Sequence, residues 1–405
     1  MDKNKLNFVL VANSVPESAT MIGGYRIAIE CAKRWRAQGH QVTFLTNRLG
    51  KAMISRYIPA EESEFVLAPM PIGIGGKAFT SLVATVFFYS YMAVTGTITA
   101  CRFSLPNRNV IYSTSPLWPD IFPGFFMRRR SPDSRWLTAM SMYAPPCWKG
   151  WKPYAGGRWS LPDPRAFALN LNQFPVYPLI KRHCDGIYVN NELDIARAVS
   201  DGFDPKRVEV IGMGVDNSLA HLAPETDKKD YEAVFIGRLH PQNGVLELID
   251  IWRLLVNKRA QARLAIIGNG PLEEKLRTRI ERNGLQGQVD MLGFLDGLAK
   301  IRVVKASRVA VHPSFYDSGG MAALEAMSCG LPGVSFDLPD LAVYYPQGML
   351  KTRCYDLNAF AGNIELLLED EKLYRILSEE AVDWAQQWDW DAVAGKLLEL
   401  AERLF

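Results

Sequence analysis

Two acids, Asp317 and Glu325, stand with seven residues between them in the run VHPSFYDSGGMAALEAMSCGLPGV, positions 311–334. Carboxylates so placed can accept hydrogen bonds from sugar hydroxyls, one from a turn and the other about two turns further along a helix. Ser318-Gly319-Gly320 lies between them, just before the good helix formers 321–327. A glycine-bearing turn that opens a helix presents unpaired backbone N–H groups and the positive end of the helix dipole, which suits a phosphate or diphosphate. The apolar residues 309–311 read as a short strand, and Gly330 followed by Pro332 stops the helix. An ordinary strand-to-helix connection carrying two solvated acids has the same pattern, so the surrounding elements decide its meaning.

Those elements alternate. Residues 6–12 read as a strand, then come a turn containing Gly23-Gly24, a helix over 25–38 and a strand over 41–46. This β-loop-α-β unit puts its glycine pair where a first Rossmann-type turn approaches a phosphate. Further strands are expected at 109–113, 185–190 and 208–211. After the polar linker 227–230 a second series begins: strand 233–236, turn 237–244, helix 245–256, strand 263–267, turn 268–271, helix 272–283 and strand 289–292. Strands alternating with helices on short connections predict a parallel sheet in each half. Doubly wound domains bind ligands beyond the carboxyl ends of their strands, here expected at a central cleft between the halves.

At 405 residues, 48% of them hydrophobic, the chain suits two domains of roughly 200 residues each. A formal charge of +3 without a long basic run argues against nucleic acid as a partner. Six scattered cysteines lack metal-site spacing and fit a reducing, cytoplasmic compartment. The N-terminal apolar run is too short for a signal peptide and reads as the first strand. Residues 80–101 carry no charge over 22 positions, long enough to cross a bilayer. Their Thr and Ser content, Gly96 and their place inside one domain favour a buried or membrane-facing helix instead.

The block 116–178 is dense in Pro and aromatics. Trp118, Phe122, Phe125, Phe126, Trp148, Trp151 and Trp159 interleave with Arg128, Arg129, Arg130, Lys149, Lys152 and Arg158. Rings beside cations suit an anionic membrane interface, a sugar-stacking acceptor site, or the packing of long loops onto a core. Asp389-Trp390-Asp391 matches an acid-x-acid metal motif, but it directly precedes a helical pattern and reads as an N-cap.

In order and spacing, the motifs of nearly the whole chain resemble glycosyltransferases of the GT-B fold, in particular the retaining family 4. Gly23-Gly24, Gln38-Gly39-His40, Gly214-Val215-Asp216, Phe235-Ile236-Gly237-Arg238-Leu239, Gly268-Asn269-Gly270-Pro271, Gly293, Pro313-Ser314, Leu324-Glu325-Ala326-Met327 and Cys329-Gly330-Leu331-Pro332 carry the likeness. It implies an acceptor-binding Rossmann-like domain at 1–205, completed by a C-terminal helix at 386–405 that crosses back to it. A donor-binding domain would occupy 206–385. The implied reaction is metal-independent and retaining, with no cofactor beyond a UDP- or GDP-linked sugar as co-substrate. The implied acceptor is a glycan or lipid-linked molecule at the inner face of a membrane. By position, Arg238 would meet the donor diphosphate, Glu325 the ribose hydroxyls, Asp317 the sugar, and the backbone of Ser318, Gly319 and Gly320 the phosphates. Gly24 would let the N-terminal loop approach the diphosphate, and Gly237, Asn243 and Gly268 would line the donor site.

Three departures stand out. Asp317 replaces the usual glutamate as a D-S-G-G variant of the acid-x7-acid motif, Asn243 replaces the usual lysine before Gly244, and no histidine lies near 113–115 or 139–143. They keep open a degenerate nucleotide-sugar-binding homologue that partners another enzyme without turnover. A nicotinamide-dependent oxidoreductase is disfavoured, since the first turn lacks a G-x-G-x-x-G run.

Overall fold

Short runs rich in Val, Ile and Leu, bounded by polar turns, form parallel strands covered on both faces by helices. The computed structural model describes residues 5–14, 23–59, 61, 64–71, 82–105, 108–140, 143–148, 164–224, 228–317 and 319–405. They fall into two compact units, one within Met1–Gly150, Ser160–Gly212 and Trp390–Phe405, the other within Met213–Asp389. The division thus falls near residues 212 and 390, against 205 and 386 from the sequence.

In chain order the first unit contains β1 (Asn7–Ala12), α1 (Gly23–Ala37), β2 (Gln41–Thr46), α2 (Arg48–Ile54), β3 (Phe65–Leu67), α3 (Leu82–Arg102), β4 (Asn109–Ser113), α4 (Trp118–Arg130) and β5 (Arg135–Ala139). It continues with α5 (Pro164–Gln173), α6 (Tyr177–His183), β6 (Gly186–Val189), α7 (Glu192–Ser200) and β7 (Val208–Val210). Among the described residues the sheet order is β3-β2-β1-β4-β5-β6-β7, all parallel, with the strand order reversing between β1 and β4. The second unit contains α8 (Asn217–Leu222), β8 (Tyr231–Ile236), α9 (Val245–Val256), β9 (Leu264–Ile267), α10 (Glu273–Arg282), β10 (Val289–Gly293) and α11 (Gly297–Lys305). There follow β11 (Ser307–His312), α12 (Met321–Met327), β12 (Gly333–Phe336), β13 (Met349–Thr352), α13 (Leu357–Glu369) and α14 (Glu371–Ala385). Its sheet runs β10-β9-β8-β11-β12-β13, again all parallel. The last helix, α15 (Trp390–Arg403), belongs to the first unit.

Packing explains that last assignment. Trp35 of α1 stacks on Phe8 of β1 with ring centroids 4.0 Å apart, and its indole Nε1 donates to Ala394 O of α15 at 3.1 Å. Arg34 pairs with Asp391, one acid of the Asp-Trp-Asp run. Leu397, Leu400 and Ala401 complete a buried face on α15. In the second unit Phe315 stacks on both Phe336 and Tyr355, at centroid distances of 5.3 and 4.5 Å, over a core that includes Trp252. Burying each such side chain contributes roughly 1.5–3 kcal/mol.

Two sequence expectations are corrected. Gly23 and Gly24 open α1 instead of forming a turn before it; the first N–H groups of a helix have no partner within it, so glycine is tolerated there. The block 116–178 is not merely long loops, for it contains α4, β5, α5 and part of α6. Trp118, Phe122 and Phe125 are partly buried against the first unit's core, whereas Phe126 and Trp148 are exposed. Lys149, Trp151, Lys152, Arg158 and Trp159 lie outside the described residues. The uncharged run 80–101 forms most of α3, which packs along α4 through Gly96, where an added Cβ would sit 3.1 Å from Pro123. Only about a third of that apolar stretch is buried, and Val83, Phe87, Val94 and Ile98 are 47–79% exposed. Steps of four, seven and four residues place those four on one helix face.

Candidate active site

The carboxyl end of β8 turns at Gly237 into Arg238, and the next strand, β9, ends at Ile267, just before Gly268. A Cβ on Gly268 (φ +145°) would lie 1.9 Å from Gly237 O, so the two loops pack backbone on backbone. Gly244, at φ +62°, faces the loop after β11: its Cβ would lie 2.0 Å from Pro313 O. Phe315 N donates to Gln242 O at 2.7 Å across the same junction. Glycine is therefore demanded where neighbouring strand ends converge, and the close packing fixes where Arg238 and Asp317 emerge.

A polar chain joins these loops. Asp317 Oδ1 accepts from Gly319 N at 3.1 Å, and its Oδ2 lies 3.2 Å from His312 Nε2. The same Nε2 is 3.2 Å from Ser314 Oγ, which donates a long 3.5 Å bond to Asn243 Oδ1. Asn243 Nδ2 then donates to Arg238 O at 2.8 Å. The first acid and the arginine loop are thus connected through two buried side chains, His312 and Ser314, and the nearly buried amide of Asn243. Arg238 itself is exposed. The sequence expectation for Asn243 is a donor contact; in the structure its side-chain amide clamps the Arg238 backbone.

Gly319 and Gly320 lead into α12. A Cβ on Gly319 would meet Met213 Cε at 2.2 Å, and one on Gly320 (φ +53°) would meet the Tyr345 ring at 2.7 Å. Ser318 lies outside the described residues. Glu325, on α12, accepts from Lys300 Nζ at 2.7 Å. Neighbouring registers align His312 with Ser335 and Ser335 with Lys351 in a row across the sheet. Lys351 Nζ sits 3.7 Å above the Tyr345 ring, and burial pushes its ammonium down to about 7, against the charge of Asp337. Arg238, Asp317, Glu325, Gly237, Asn243, Gly268, Gly319 and Gly320 all belong to the second unit, whereas Gly24 belongs to the first.

The first unit has its own polar cluster at the point where strand order reverses. Asp120 of α4 is fully buried; Oδ1 accepts from Asn13 N at 2.7 Å and Ser14 N at 3.0 Å. Oδ2 accepts from Ser14 Oγ at 2.7 Å and from Ser115 Oγ. Burial pushes the carboxyl up to about 6, opposed by these hydrogen bonds. Asp120 ties the loop after β1 to the loop after β4, where a doubly wound sheet receives ligands.

Sequence reasoning passed over His312, Lys300 and Asp120. His312 stood in the quoted run as the residue before Pro313, and Asp296 with Lys300 has the i,i+4 spacing of a helical ion pair. Ser115 lies five residues before Asp120, but its other partners, Asn13 and Ser14, come from a loop more than 100 residues away, which no local signal marks.

Residues 220–384 match the profile of the family described as glycosyl transferases group 1. Among curated proteins, the D-inositol 3-phosphate glycosyltransferase of Jonesia denitrificans is 30% identical over 224 residues, covering 49% of this chain and 52% of the relative. The O-antigen chain mannosyltransferase B of Escherichia coli is 28% identical over 161 residues, covering 39% and 42% respectively. The chain spans about half the length of the curated relatives it matches. Two solved structures align over nearly the whole chain. Anabaena Alr3699/HepE in complex with UDP and glucose gives a TM-score of 0.69 at 17% identity, covering 98% of each chain. Sucrose-phosphate synthase from Thermosynechococcus elongatus gives 0.71 at 18% identity, covering 99% of each. The architecture, two Rossmann-like units with parallel sheets, is that of the GT-B fold.

Proposed function

We propose that this protein is a retaining glycosyltransferase that moves a sugar from a UDP- or GDP-linked donor to a glycan or lipid-linked acceptor in the assembly of a cell-surface polysaccharide or glycolipid. The observation that carries this is the hydrogen-bonded chain from Asp317 through His312, Ser314 and Asn243 to the Arg238 loop, at the carboxyl edge of a sheet within the family-matching segment. Arg238 supplies positive charge to the diphosphate as the leaving group develops its own. Glu325 takes the ribose hydroxyls and Asp317 a sugar hydroxyl, while the backbone at Ser318, Gly319 and Gly320 meets the phosphates. Asp317 is one methylene shorter than glutamate, and His312 with Gly319 N holds it in a single orientation. The resemblance assigns no metal to the step.

A second reading, a degenerate nucleotide-sugar-binding homologue, has one observation in its favour. The side chain at the usual lysine position, Asn243, is neutral and donates to a backbone carbonyl. Calorimetry with UDP and GDP followed by a donor-hydrolysis assay separates the two readings. Binding is expected under both, and release of sugar only under the first.

The acceptor side includes an anionic membrane surface at the inner face of the cell membrane. The exposed stripe of α3 supplies apolar area, and Phe126 with Arg129 and Arg130, all exposed on α4, supplies a ring beside cations. All six cysteines are free, which fits a reducing compartment. In a flotation assay with anionic liposomes the wild-type protein is expected to rise with the vesicles, and the double variant Phe87→Asp, Val94→Asp to remain at the bottom. A wild-type protein that stays at the bottom removes the membrane from the account.

A further inference from the structure

The geometry points to Lys300 as a positioning residue that aims Glu325 at the donor ribose and so sets discrimination between ribonucleotides and 2′-deoxyribonucleotides; this rests on the reading of Glu325 as the ribose-binding acid. Lys300 lies on α11 with its side chain 9% exposed, and its Nζ donates to Glu325 Oε1 at 2.7 Å. Nζ also lies 3.1 Å from Asp296 Oδ1. Asp296 is in turn fixed to the start of α11, since its Oδ1 accepts from Gly297 N at 2.8 Å. A flexible four-carbon stem is thereby held by one acid a helical turn away, and its charged end holds the other acid on α12.

Packing alone does not call for a lysine here. A buried ammonium is strongly unfavourable unless paired, and well-packed apolar residues in place of a buried ion pair are often neutral or stabilising. A methionine would fill comparable volume between α11 and α12 without that penalty. What the lysine adds is direction: with Oε1 held by Nζ, the plane of the Glu325 carboxylate is set, and Oε2 is presented at a fixed angle to an incoming hydroxyl. A site built to pair with a particular hydroxyl rejects the analogue that lacks it, because its polar group is then left unpaired. A carboxylate released from Lys300 would swing to whichever hydroxyl remained.

The experiment is calorimetric titration of the wild-type protein, Lys300→Met and Glu325→Gln with UDP, GDP and their 2′-deoxy analogues, with melting curves for each. The wild-type protein is expected to bind its preferred ribonucleotide about tenfold more tightly than the deoxy form. In Lys300→Met that ratio is expected to fall to within about threefold, chiefly through weaker binding of the ribonucleotide. Should Lys300→Met fail to fold, Lys300→Gln is read by the same ratio. A ratio kept at the wild-type value in a folded Lys300 variant, beside its loss in Glu325→Gln, overturns the inference and leaves the ribose role of Glu325 standing. A wild-type protein that binds neither nucleotide, or binds both sugar forms equally, overturns that role and the inference together.

Discussion

Arg238→Ala and Glu325→Gln are each expected to lower kcat/KM for sugar transfer at least about tenfold; the melting temperature of Arg238→Ala stays within about 2 °C of the wild type, and that of Glu325→Gln falls further because the buried Lys300 loses one of its charged partners. Arg238 is exposed at the end of β8, so truncating its side chain removes charge without opening a core. Its effect should fall mainly on kcat, because a cation facing the diphosphate is worth most when the leaving group carries its full charge. Glu325→Gln keeps the shape of the side chain and an oxygen for Lys300 to bond, but it loses the negative charge offered to a hydroxyl. Its effect should therefore appear first in donor binding. Steady-state kinetics with the preferred donor, beside thermal melts, check both. Full activity in both variants would remove the assigned site.

Gly244→Ala is expected to destabilise the second unit by roughly 3 kcal/mol or more, a fall of about 10 °C in its melting temperature, and to abolish transfer. Two effects add. The residue sits at φ +62°, where alanine is strained by about 1–2 kcal/mol, and the new methyl would lie 2.0 Å from Pro313 O. Relief requires the loops after β8 and β11 to separate, which moves Arg238 and Asp317 apart and breaks the bond from Phe315 N to Gln242 O. A melting temperature and a transfer rate both equal to wild type would show that the two loops are not locked as described.

The alternation of elements was legible because each strand is a short apolar run and each helix has an apolar face. Gln41–Thr46, Asn109–Ser113, Val245–Val256 and Met321–Met327 fall where the periodicity puts them. Helix α4 was hidden by Pro123 inside it and by aromatics on several sides, which erase the amphipathic pattern. β5 is partly masked because Arg135 and Trp136 read as more of the aromatic-cationic block. In the candidate site, residues adjacent in sequence to a strand end were readable, among them Arg238, Asp317 and the glycines. Their partners were not. Lys300 reaches Glu325 across 25 residues, and Asp120 reaches Ser14 across 106. Such contacts exist only once the sheets have set strand order, and no local periodicity encodes them.

The central claim is that this protein breaks the bond between a sugar and a nucleoside diphosphate and transfers that sugar with its anomeric configuration kept. The most direct measurement is proton NMR of the protein incubated with a panel of UDP- and GDP-sugars, with an acceptor-bearing membrane extract or with water as acceptor. For at least one donor, release of the nucleoside diphosphate is expected, and the first-formed product should carry the anomeric configuration of that donor. Tight nucleotide binding with no release of sugar across the panel, or an inverted product, would contradict it.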